Sequence, residues 1–257
     1  MVQWNTKSGE KQRSEIPPGA NIQLPQFSQD GKYAAFAVQN YHRHLYDIQI
    51  IADENPKPIE IIKSDNPIYS PSFSPGGNKI VYKTLRKSTG VPKFHNFAFA
   101  IYDRKTQTQK RITDYAFDFT GAPYFYDPEH IVVAARYNNS KELKRKLWKI
   151  SITTGKYEEL FDIEEEDAYS PTVMPNRTIL VQKTNLESHD GIYIYEFYTF
   201  DGKDFKQLTD HKTFIEHFAL SADGSTLAYR IRERTSGDYK IYLRDLVSGH
   251  IQKFNNF

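Results

Sequence analysis

The sequence predicts an all-β fold, a β-propeller of four-stranded antiparallel blades, and three observations carry that expectation. The first is a phrase that recurs. Ser70-Pro71-Ser72-Phe73-Ser74-Pro75-Gly76-Gly77-Asn78-Lys79-Ile80-Val81-Tyr82 is echoed by Leu24-Pro25-Gln26-Phe27-Ser28-Gln29-Asp30-Gly31-Lys32-Tyr33 and by Phe218-Ala219-Leu220-Ser221-Ala222-Asp223-Gly224-Ser225-Thr226-Leu227. Shorter copies sit at Ala122–Pro128 and Ser170–Asn176. The second is spacing. The anchors Ser28, Ser74, Tyr126, Met174 and Ser221 lie 46, 52, 48 and 47 residues apart. That interval holds four strands of about 5–6 residues with short turns. A unit of that size cannot bury its apolar face alone and stacks on its neighbour. The third is composition: 18 Tyr and 17 Phe among 257 residues, with 39% hydrophobic, suit half-buried strands and supply a large core.

Each unit reads the same way. A short first strand ends at the Pro-x-Phe-Ser element, and a turn with Asp30-Gly31, Gly76-Gly77 or Asp223-Gly224 opens a hairpin. Second strands are apolar: Tyr33–Val38, Lys79–Tyr82, Ile131–Ala135, Thr178–Val181 and Thr226–Ile231. Polar loops of varied length follow, as at Arg86–Lys93, Asn138–Lys146 and Asn185–Gly191. Third strands alternate over Leu45–Ile51, Phe97–Asp103, Leu147–Ile152, Ile192–Phe200 and Lys240–Leu246. Tight turns lead to fourth strands at Pro58–Ile62, Gln109–Thr113, Tyr157–Phe161, Phe205–Thr209 and Ile251–Phe254. The start, Val2–Ile16, matches a third strand, a Gly turn and a fourth strand. The expectation is one domain: a half blade over residues 1–20 and repeats over about 21–66, 67–117, 118–166, 167–213 and 214–257. Five complete blades plus a half fit a ring of five or six positions, or a chain whose preceding strands lie elsewhere.

A net charge of +2, from 34 basic and 32 acidic side chains, predicts no general affinity for nucleic acid or anionic lipid. The chain has no cysteine, which excludes disulfides and thiolate metal sites. No apolar run approaches the roughly 18 residues that span a bilayer, so no transmembrane segment is expected. The beginning, Met1-Val2-Gln3-Trp4-Asn5-Thr6, carries neither a basic nor an apolar leader region, so either a cytoplasmic protein or removal of a leader is expected.

The repeated phrase resembles the TolB-type β-propeller repeat, Pro-x-Phe-Ser-Pro-Asp-Gly-Lys followed by alternating aliphatics and an aromatic. The unit around Ser74 matches best, with Gly76 in place of Asp; that around Ser28 keeps Pro25, Phe27, Asp30, Gly31 and Lys32; that around Ser221 keeps Asp223 and Gly224. The units around Tyr126 and Met174 lack the Gly turn and match through Pro123 and Pro171. The resemblance implies a cell-envelope protein, periplasmic or otherwise outside the cytoplasm, that binds peptide or protein partners at the propeller face. The motif residues themselves read as architecture: Gly for a left-handed turn, Asp for hydrogen bonds to that turn.

No Gly-x-Ser-x-Gly elbow marks a hydrolase domain and no Gly-rich loop precedes a helix. His42 and His44 could ligate a metal from one strand face, weighed against a solvated hairpin; no metal and no cofactor is expected. Two recurrences are candidate sites. Tyr69-Ser70, Phe119-Thr120, Tyr169-Ser170 and Glu216-His217 precede the innermost strands, where an aromatic and hydroxyl-rich ring at a tunnel mouth suits a peptide or a sugar. Lys83, Lys183 and Arg230 stand just after the aromatic of the second strand or its equivalent, with Arg136 nearby in its unit. These form either a cationic collar for a carboxylate or phosphate or outward charges guarding strand ends. The function expected is therefore a non-catalytic scaffold docking a peptide or protein. The alternative is a small anionic ligand, such as an acidic sugar, bound by the collar, with Glu216 and His217 as acid–base candidates for lyase or hydrolase chemistry. The runs Lys141–Lys146 and Glu164–Asp167 read as solvated loops, the second able to bind a cation or a basic partner, and Asn138 and Asn176 head glycosylation sequons.

Overall fold

The computed structural model describes residues 2–4, 11–13, 21–22, 25–40, 45–52, 55–86, 96–118, 120–137, 145–161, 168–185, 194–213, 215–221, 223–232 and 237–254. Every regular element among them is a strand, and all the pairing is antiparallel. β1 (Val2–Trp4) pairs β2 (Lys11–Arg13) as a hairpin with Val2 opposite Arg13. β3 (Asn21–Ile22) and β4 (Gln26–Phe27) both pair β5 (Tyr33–Asn40), which continues through β6 (Leu45–Ala52) to β7 (Asn55–Ser64). β8 (Ile68–Phe73), β9 (Lys79–Leu85), β10 (Phe97–Asp103) and β11 (Thr108–Arg111) follow in the same order. β12 (Phe117–Asp118) pairs both β10 and the next unit, so it ties this sheet to the following one. That unit holds β13 (Tyr124–Asp127), β14 (His130–Tyr137), β15 (Lys146–Ser151) and β16 (Tyr157–Phe161). Two separate four-stranded sheets complete the described chain: β17 (Ala168–Val173), β18 (Ile179–Asn185), β19 (Ile194–Phe200) and β20 (Phe205–Gln207), then β21 (Ile215–Leu220), β22 (Thr226–Arg232), β23 (Tyr239–Asp245) and β24 (Ile251–Phe254).

The second strands β5, β9, β14 and β18 are buried on both faces because their sheets pack between neighbours, and their apolar runs follow from that, whereas β22 in the last described sheet buries Leu227, Tyr229 and Ile231 on one face only. Along β5, Ala35 and Ala37 pack toward β8 and β9 with Ile48, Ile68 and Ile80, while Ala34, Phe36 and Val38 form a cluster on the opposite face. The same division recurs. Val81 packs with Phe99, Ile131 and Val133; Val132 and Ala134 pack with Val181 and Phe200; Leu180 and Phe197 pack with Leu227 and Tyr229. Alanine at these places lets neighbouring sheets approach closely, and each fully buried Ile or Phe contributes about 1.5–3 kcal/mol.

The repeated phrase is a turn-building device. Ser28, Ser74 and Ser221 each accept, through Oγ, the backbone N–H five residues on, from Tyr33, Lys79 and Thr226, at 3.0, 3.1 and 2.8 Å. Ser28 and Ser221 also donate to Asp30 and Asp223 at 2.7 and 2.6 Å. Those hydrogen bonds, with the Ser225 N–H, hold the Asp223 carboxyl down at about 2. The unit around Met174 makes its turn one residue shorter: Met174 N–H donates to Thr178 rather than to a residue five places on. Arg177, with φ +66°, takes the left-handed place that glycine fills elsewhere. Some strand ends differ from the sequence expectation. β7 extends over Pro56 and Pro58, which an edge strand tolerates, and β11 and β20 stop short of Thr113 and Thr209. Both of those hydroxyls instead accept a backbone N–H of the third strand, from Phe99 and Phe197.

Candidate functional site

The candidate residues gather at the starts of the innermost strands and the ends of the second strands, which the register places side by side. Tyr69 is directly opposite Lys83, Tyr169 opposite Gln182, and Glu216 opposite Arg230. Each of these three innermost strands bulges by one residue immediately afterwards. In β8 and β21 the residue after the pair, Ser70 or His217, is left-handed, with φ +50° and +40°. A non-glycine residue held there is strained backbone, and a bulge re-aims the side chains next to it. Tyr69 is half-buried and packs edge-on to Phe97 at 6.0 Å between centroids, while His217 is exposed. For Tyr169, Ser170 and Glu216 the description covers the backbone. His42, His44, Phe119, residues 138–144 and Glu164–Asp167 lie outside the described residues.

The basic recurrence divides in two. The short turn at Met174 shifts β18 by one residue, and a shift of one residue moves a side chain to the other face of its sheet. Gln182, not Lys183, is thus the register counterpart of Lys83 and Arg230. Lys183 faces back toward the preceding sheet, only 8% exposed, with its ammonium 4.1 Å from the Phe205 ring centroid and 4.8 Å from that of Tyr198. It stands directly opposite Glu196, a carboxylate 3% exposed that the sequence reading passed over. Burial pushes the Glu196 carboxyl above its ordinary range, against hydrogen bonds from Thr209 and from the Lys212 and His211 backbone.

The residues that face forward make a recurring clasp. Gln39 Nε2 donates to the Ile68 carbonyl at 3.1 Å, Lys83 Nζ to the Thr120 carbonyl at 2.8 Å, and Gln182 Nε2 to the Ile215 carbonyl at 2.6 Å. The three acceptors stand six residues before the anchors Ser74, Tyr126 and Ser221, so one carbonyl position of the repeat receives all three bonds. Arg136 makes a bidentate pair with Asp118, Nε at 3.0 Å and Nη2 at 2.6 Å, with 4% of the acid's side chain exposed. Arg230 lies over the Tyr239 ring at 4.2 Å. The structure therefore brings Tyr69, Lys83 and Thr120 together, while Lys183 turns away from them and Arg136 is engaged by an acid. Among the described residues no group of three or more His, Asp or Glu is arranged to hold a metal ion, and no helix is long and apolar enough to cross a membrane.

No family model matches the sequence, and no curated protein matches it in sequence. Solved structures match its fold. TolB from Acinetobacter baumannii is 22% identical with a TM-score of 0.64, over 87% of this chain and 52% of that one. The fold is a TolB-like β-propeller. The chain spans about half the length of that TolB. The oligogalacturonate lyase of Vibrio parahaemolyticus is 13% identical with a TM-score of 0.65, over 98% of this chain and 70% of that one. The β-propeller domain of the Trilobed protease from Pyrococcus furiosus is 15% identical with a TM-score of 0.57, over 93% and 72%. Within this TolB-like scaffold the bulges, the clasp and Glu196 escaped the sequence reading. Strand alternation does not signal an extra residue, and a clasp between residues such as Lys83 and Thr120 is a contact between separate sheets. The one available signal was the missing Gly in the Met174 turn, which already announced a different turn length.

Proposed function

We propose that this TolB-like propeller is a non-catalytic scaffold of the cell envelope that docks a peptide or protein partner at the mouth where its innermost strands begin. The observation that carries the reading is the strained bulge at like positions of separate sheets, Ser70 in β8 and His217 in β21. Strain of about 1–3 kcal/mol per residue persists where the surroundings over-determine it, and it concentrates at ligand-contacting places. Aromatic and hydroxyl groups suited to an extended chain stand there, Tyr69 and Ser70, together with the exposed His217, and the repeat supplies Tyr169 and Ser170 at the like positions of its sequence. The nearly balanced charge fits a partner held by shape and hydrogen bonds rather than by bulk electrostatics.

The test is affinity capture from cell-envelope extract, with each captured partner then purified and titrated against the wild-type chain and the Tyr69→Ala/Tyr169→Ala/His217→Ala variant. The expected result is a loss of tenfold or more in affinity, with the fold retained by circular dichroism. Equal affinity of the two proteins for every purified partner would remove the mouth from the binding surface.

A further inference from the structure

The clasp between sheets holds a charge that its structural work does not require. At two of its places, Gln39 and Gln182, a neutral amide donates to the same repeat carbonyl that Lys83 serves with an ammonium. Burial and the nearby Arg145 cation both disfavour the charged form of Lys83 and hold it down at about 8. Lys83 has no carboxylate partner among the described residues, in contrast to Arg136, which has Asp118. Thr120, whose carbonyl accepts from Lys83, also has a hydroxyl that is buried and makes no hydrogen bond among the described residues. A buried hydroxyl without a partner carries a desolvation cost that a bound acceptor would remove. Phe97, its ring centroid 5.2 Å from the Lys83 nitrogen, and Tyr69 against Phe97 wall the place on one side.

We propose that this join is an anion site, in which the Lys83 ammonium and the Thr120 hydroxyl receive one carboxylate group of a ligand. Two donors match the two oxygens of a carboxylate, whereas a phosphate presents three oxygens and about twice the charge. The carboxylate belongs either to a small acid or to the C-terminus of a bound peptide, and both present the same group. The inference stands on the join itself and holds whether or not a partner docks at the wider mouth.

The test uses the full chain at pH 7 with sodium acetate against sodium chloride at matched ionic strength, and the tripeptide Gly-Gly-Phe with a free or an amidated C-terminus. Binding is read by isothermal titration and by the thermal midpoint. The wild type is expected to bind acetate or the free-carboxyl tripeptide and to ignore chloride and the amide. Lys83→Gln keeps the clasp that glutamine makes elsewhere, so its midpoint in chloride stays within a few degrees of wild type while its affinity for the carboxylate falls tenfold or more. Thr120→Val leaves the ammonium clasp in place and lowers affinity several-fold, which keeps the test independent of how Lys83→Gln folds. Competition between acetate and the tripeptide assigns a peptide terminus as the source, and acetate binding alone assigns a small acid. Wild-type affinity in either variant, or no response of the wild type to either carboxylate probe, overturns the proposal.

Discussion

Glu196 shows at the scale of one residue how this fold holds a buried acid. Its Oε1 accepts the Lys212 N–H at 2.7 Å, and Lys212 is itself left-handed at φ +51°, so the acid pins a strained crossing between β20 and β21. Its Oε2 is buried without a hydrogen-bond partner among the described residues. The pin needs an acceptor oxygen and not a charge. Glu196→Gln is therefore expected to keep stability within about 1 kcal/mol at pH 7, whereas Glu196→Ala loses about 1–3 kcal/mol by removing the acceptor. The raised carboxyl fixes the sign with pH. The folded state binds the proton more tightly than the unfolded chain, so the wild type gains on Glu196→Gln as pH falls from 7 toward the ordinary carboxyl range. Urea midpoints of both proteins at pH 7 and pH 5 check this; a gap that widens against the wild type on acidification would refute it.

The Gly turns differ among elements in what their neighbours allow. Gly77 and Gly224 occupy the same place of the phrase, with φ +69° and +72°. A Cβ at Gly77 meets nothing within 4 Å, but at Gly224 it meets Pro175 Cδ of the preceding sheet's turn at 2.5 Å. Gly77→Ala is expected to cost about 1–2 kcal/mol, the left-handed penalty alone. Gly224→Ala adds an overpacking term of about 1–3 kcal/mol, because Pro175 cannot rotate away. Urea unfolding of the two variants separates them, and equal losses would mean that the turns of neighbouring sheets do not touch. Arg177 shows the complementary case, in which the turn keeps its left-handed residue without glycine by shortening, and the register of β18 changes with it.

At the scale of the whole molecule, the sequence predicted the strand architecture closely. Phe97–Asp103 and Ile251–Phe254 are strands at the expected bounds because their alternation and flanking turns are local signals. The Ser-x-Asp-Gly phrase read as architecture, and its hydroxyl and carboxylate do bond the turn. The candidate site was legible only as like-placed residues. Which of them share a face depends on turn length, and one residue at Met174 separates Lys183 from Lys83. The meeting of Lys83 with Thr120 depends on the stacking of separate sheets, which no single strand encodes. That stacking around a common axis underlies every site described. Because the chain lacks cysteine, spin labels enter only where they are placed. Label pairs at Lys105/Thr154, Lys105/Lys203 and Lys105/Val247 sit on exposed outer turns of successive sheets. Pulsed electron–electron distance measurement on the three pairs is the most direct test. The account predicts narrow distances that rise from the first pair to the second and then level off, as chords of a circle do; distances that keep growing in equal steps, or broad distributions, would contradict it.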